Sequence, residues 1–221
     1  MMFESRSICI CGLPGIGSVG KVAADFLATA LQCTTFKPFF SPRFPPQVMV
    51  SQGLTGLMHV ELMRPSDLSN VLILSGDAQP LDVLGMYELA GDLLLAIKDE
   101  GVTDVITLAA YVGDTEVPVF GATTDPDLSR ALVESRTPLL KSGAIGGLNG
   151  LLAGLAPRYG LTGTCLLATT SGSDPVDIRA ATALLAKVKE LLGLDIDITL
   201  LEPVIEQPQE HTDQEVDMNY R

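Results

Sequence analysis

The segment GLPGIGSVGK, residues 12–21, carries the spacing most suggestive of chemistry in this chain. Gly15, Gly17 and Gly20 form G-x-G-x-x-G between an apolar run and a helical stripe, the context in which backbone N–H groups cradle a pyrophosphate. Such a unit also needs an acidic residue about 20 positions later to hold a ribose. None occurs between Asp25 and Glu61. The same loop reads as a phosphate-binding G-x-x-x-x-G-K, but Val22 stands where Ser or Thr would ligand Mg²⁺. The reading that fits better is packing: glycines there let the first helix press against the sheet.

Other polar groups fall on loops that follow apolar runs, where α/β proteins place their sites. These are Asp77 and Gln79 in GDAQP, Tyr111 and Asp114 in YVGD, residues 142–149 ending at Asn149, and residues 171–174. With Gly15, Gly17 and Gly20, the residues Asp77, Gln79 and Asn149 define a candidate ligand crevice. No base, nucleophile or metal set joins them. The two histidines, His59 and His211, lie off these loops, and Ser142 does not sit in G-x-S-x-G. No catalytic residue, metal site or cofactor is therefore assigned. Asp77 is expected to order its loop or cap a helix, and Gly146, Gly147 and Gly150 to serve turns and packing.

The elements that must position these loops alternate. Strands are expected at 6–11, 71–75 and 104–110, in VPVFGA and in GTCLLATT. Helices are expected at 17–32, 82–100 (ended by Gly101), in DPDLSRALVES, in LLAGLAPRYG after the Gly-rich GAIGGLNG, and at 175–192. The last helix reads with Asp174 as N-cap, Pro175 at N1, Asp177 at N3 and Gly193 at its end. Residues 47–64 read as one hairpin turning near 53–56. Apolar strands alternating with helices imply a mostly parallel, mixed sheet covered on both faces, an α/β domain over residues 1–203. The polar, acidic remainder, 204–221, reads as a flexible tail.

The net charge of −13, with only 14 Lys and Arg, argues against nucleic-acid binding. Cys9, Cys11, Cys33 and Cys165 lack metal-ligand spacing and read as reduced thiols, Cys9 and Cys11 on one strand face. The start lacks a signal-peptide stretch and no 18-residue apolar run occurs, so a cytoplasmic protein with no membrane contact is expected.

Taken in order, GLPGIGSVGKVAADFL, FPPQV, SGDAQP with YELAGDLL, TLAAYVG and GAIGGLNGLLAGLA resemble the archaeal relatives of the second eukaryotic proteasome assembly chaperone, over roughly residues 5–200. The resemblance implies a three-layer αβα sandwich of phosphorylase/hydrolase-like fold and a binding protein rather than an enzyme. It also implies a homo-oligomer whose partners are proteasome α subunits, the α-ring or assembly precursors. In related activators a C-terminal hydrophobic-Tyr-any motif enters pockets between α subunits. The chain ends Met218, Asn219, Tyr220, Arg221, with the Tyr in place and Asn219 where a hydrophobic residue is expected. The alternative is a small-molecule or nucleotide-binding enzyme or sensor using the glycine-loop crevice.

Overall fold

The computed structural model describes residues 6–204. Seven strands form the main sheet: β1 (Ile8–Gly12), β2 (Thr34–Phe39), β5 (Val60–Arg64), β6 (Val71–Gly76), β7 (Asp104–Val112), β8 (Val119–Thr123) and β9 (Thr162–Thr170). A separate two-stranded sheet is formed by β3 (Val48–Ser51) and β4 (Leu54–Leu57). Five α-helices accompany them: α1 (Val19–Ala30), α2 (Val83–Asp99), α3 (Pro126–Glu134), α4 (Gly147–Leu155) and α5 (Ile178–Leu192).

The main sheet runs in the order β2-β5-β6-β1-β7-β9-β8. Its centre, β6-β1-β7-β9, is parallel, while β5, β2 and β8 pair antiparallel. This is the expected mixed, mostly parallel αβα sandwich. The central strands are apolar on both faces because both are covered. Ile8, Ile10, Ile73, Ile106 and Leu108 pack with α1, α3 and α5, whereas Cys9, Cys11, Leu72, Leu74 and Val105 pack with α2 and α4. Cys9 and Cys11 do share a face, their sulfurs 3.7 Å apart. Burial, reinforced by Cys11, pushes the Cys9 thiol well above its ordinary value, and burial takes Cys165 up to about 11. Such thiols stay protonated and unreactive at neutral pH. The buried carboxylate of Asp104 is held by Arg6 at 2.6 Å and by the Thr103 hydroxyl at 2.6 Å.

Two expectations need correction. Residues 47–64 are not one hairpin. β3 and β4 turn through Gln52 and Gly53, both at positive φ, as a two-residue hairpin loop requires. The chain then breaks at Met58 and His59, and β5 joins the main sheet because Val60, Leu62 and Met63 bury there. The N-cap of α5 is Asp177, not Asp174. Its Oδ1 accepts from Ala180 N at 2.9 Å and its Oδ2 from the Thr170 hydroxyl at 2.6 Å. Asp177 N also donates to Gly17 O at 2.8 Å, which fixes where the loop ends. Gly193 closes the helix at φ 66°, as expected.

Burial raises the Asp177 carboxyl, but the Thr170 hydroxyl, the Ala180 N–H and the Arg179 charge outweigh it and hold the group below its ordinary value. A native carboxyl that is more acidic than the unfolded one stabilises the fold above the ordinary carboxylate range, and the gain vanishes as pH falls through the native value. Asp177→Ala is therefore expected to cost ~1 kcal/mol at neutral pH. In urea titrations its deficit against wild type should shrink below about pH 4; a deficit that does not change with pH would contradict this assignment.

Candidate functional site

The glycine loop earns its glycines by close approach. A Cβ on Gly20 would sit 2.1 Å from the Leu108 carbonyl oxygen of β7, and one on Gly12 would sit 2.0 Å from the Gly20 oxygen. The first turn of α1 thus lies directly on the centre of the sheet. This is the packing role expected from the sequence.

Beside the loop, a cleft of about 540 Å³ opens between the ends of β1 and β7 and the segment leading into α4. Of the six crevice residues expected from the sequence, Gly15, Gly20, Gln79 and Asn149 line it, together with Tyr111. Gly17 and Asp77 do not. Gly17 faces Asp177, the α5 cap. Asp77 Oδ2 accepts from His59 N at 3.1 Å and lies 3.2 Å from His59 Nδ1. Asp77 therefore orders its loop, and Asp82 takes the α2 N-cap by accepting from Gly85 N. Asp114 and Ser171 belong to a different cleft, with Arg179.

Both amides in the cleft are committed to the protein's own backbone. Asn149, buried, clasps Leu13 on both sides: its Oδ1 accepts from Leu13 N at 3.2 Å and its Nδ2 donates to Leu13 O at 3.1 Å. Gln79 Oε1 accepts from Leu148 N at 2.7 Å in the first turn of α4, while its Nε2 donates to Pro14 O. Loops separated by up to 136 residues are tied in this way. The remaining lining is largely Leu13, Ala109, Leu140, Ile145 and Leu167. A cleft so built offers an apolar floor and a braced rim, with Tyr111 as the one ionisable side chain among the described residues of its lining. Among the described residues no group of three His, Cys, Asp or Glu is arranged to hold a metal ion.

Sequence reasoning missed the His59 cluster. His59 Nε2 lies 3.7 Å from Glu61, whose carboxylate also accepts from the Thr35 hydroxyl. The arrangement pins the base of the β3–β4 hairpin to the end of β6. Only the β5–β6 pairing brings His59 to Asp77, and no local pattern announces it. The tail residues Met218, Asn219, Tyr220 and Arg221 lie outside the described residues.

Fold and cleft together define a class: a three-layer α/β protein whose conspicuous glycine loop is a packing device and whose crevice amides serve its own backbone. The PAC2 family profile matches residues 9–216, and the chain belongs to that family. Its fold is similar to that of Pyrococcus furiosus PbaB, an archaeal proteasome activator, with TM-score 0.80 and 34% identity over 90% of this chain and 88% of that one. It is also similar to Pyrococcus furiosus PbaA, an archaeal homologue of proteasome-assembly chaperone, with TM-score 0.79 and 27% identity over 91% and 83%. In sequence it is similar to protein MJ1210 of Methanocaldococcus jannaschii, 34% identical over 205 residues, 89% of this chain and 78% of the relative. The resemblance to the archaeal proteasome assembly chaperones is thereby established at the level of family and fold.

Proposed function

We propose that the chain is a proteasome-binding chaperone, a homo-oligomer that engages 20S α subunits or their assembly precursors partly through residues 218–221. The observation that carries this reading is the likeness to PbaB, 34% identical across nearly the whole of both chains. The cleft supports it indirectly, since its amides are occupied by structural hydrogen bonds. We assign the folded domain to residues 1–203 and a flexible acidic tail to 204–221, working in the cytoplasm. The family match continues to residue 216, into that tail.

The side chain of Tyr220 suits a pocket on a partner surface, because the ring buries area while its hydroxyl keeps a polar partner. Several tails on one oligomer raise the effective concentration, which offsets the lost apolar contact at Asn219. Removing residues 218–221 is expected to weaken capture of isolated α-rings at least ~10-fold, the scale of losing one aromatic anchor. Equal capture by the full and truncated chains would move the contact to the folded domain. Capture by neither would overturn the reading. A rise in melting temperature with nucleotides or nucleosides would then favour a ligand sensor.

A further inference from the structure

The β3–β4 hairpin carries apolar side chains on both faces and buries neither. Val48 pairs with Leu57 and Val50 with Thr55 on one face, while Met49 and Leu54 point to the other. Leu54 is 77% exposed, Val50 66% and Leu57 65%. A lone two-stranded ribbon is marginal in water and gains stability when a face is covered. At its base lies a groove of about 490 Å³ lined by Phe40, Pro42, Phe44, Pro45, Val48 and Leu57. Hairpin and groove expose on the order of 600 Å² of apolar side chain, at the upper end of patches on ordinary monomers. The exposed Leu81, whose N–H donates to Arg43 O at 2.9 Å, lies beyond this surface, separated from it by the exposed Arg43–Asp82 ion pair.

Charge identifies the occupant. The chain carries −13 overall, yet residues 44–58 contain no charged side chain. A basic partner would gain most on the acidic surface, whereas two acidic copies repel unless they meet where charge is absent. We propose that a second copy of this chain covers the hairpin, the two ribbons and their basal grooves packing against one another. This names the surface of the homo-oligomer and rests on that part of the proposed function. Its area approaches, without reaching, the ~800 Å² per partner of a standard specific interface.

Sedimentation velocity on the full chain, across a wide concentration range, tests this with a Val50→Asp, Leu54→Asp double variant. Both positions are exposed, so the fold should survive, as circular dichroism would verify. The variant is expected to raise the dissociation constant at least ~100-fold, since each interface would bury unpaired carboxylates. Amide exchange of residues 48–57 in the wild-type chain should slow as concentration rises. Oligomers that survive the double substitution, or hairpin amides that exchange equally fast at all concentrations, would overturn the assignment while leaving self-association by another surface intact. A wild-type chain that stays monomeric would overturn both the surface and the homo-oligomer. Capture of α-rings, measured separately on the same samples, then decides whether the proteasome reading stands without them.

Discussion

Gly20→Ala is expected to lower the melting temperature by roughly 10 °C or more. The added methyl would meet the Leu108 carbonyl at 2.1 Å, and that oxygen belongs to a strand held between β1 and β9. Neither partner is a flexible side chain that could swing aside, so relief requires α1 to lift from the sheet. Lifting it opens the core around Val19, Ala23 and Leu27, all fully buried. A loss above ~4 kcal/mol is the expected scale, a large part of the ~5–15 kcal/mol that holds a domain together. Gly154→Ala is the matched control, because nothing lies within 4 Å of its added Cβ. In the exposed face of α4 that methyl should stabilise by ~0.5–1 kcal/mol. Thermal melts of both variants check the pair, and a Gly20→Ala protein melting within two or three degrees of wild type would refute the packing role.

Asn149→Ala should be the most damaging change to the cleft. Leu13 is fully buried, and its N–H and C=O lose both partners when the amide is removed. Leaving buried backbone groups unpaired costs about 1–3 kcal/mol each. Water entering from the cleft recovers part of this, so we expect a net loss of ~2–3 kcal/mol. Asn149→Asp should not rescue, since a carboxylate in place of Nδ2 would oppose the Leu13 oxygen. Urea unfolding measures the loss, and hydrogen exchange at Leu13 locates it. A change below ~0.5 kcal/mol, within the range of ordinary surface substitutions, would show that the clasp is dispensable.

The layers were legible because the central strands are unbroken apolar runs and the helices carry clear stripes. Ile8 to Cys11 and Val71 to Leu74 could only be strands covered on both sides. The purpose of the glycine loop was legible from an absence in the sequence, the gap in acidic residues from Asp25 to Glu61. Long-range pairing was not legible. Asn149 and Leu13 stand 136 residues apart, and nothing near either one signals the other. In the sequence Asp174, followed by Pro175, reads as the cap of α5 with Asp177 at N3; the cap falls on Asp177 because Thr170 on β9 holds it, and that hydroxyl's position depends on the sheet. The hairpin was misplaced because 47–64 contains two antiparallel pairings in succession, and only burial separates β4, exposed throughout, from β5.

The central position of β1 has a consequence for how the chain is made. A ribosome releases the first strand early, but its neighbours β6 and β7 emerge some 60 and 100 residues later. The Leu13 clasp closes only after Asn149 appears. At ~5–20 residues per second that interval is on the order of 10 s. Throughout it, an apolar strand and a glycine-rich turn remain without the partners that cover them. Pairing between such distant segments is also intrinsically slow. Nascent chains of this fold therefore present a long window to cellular holding factors, set by the order of strands in the sheet.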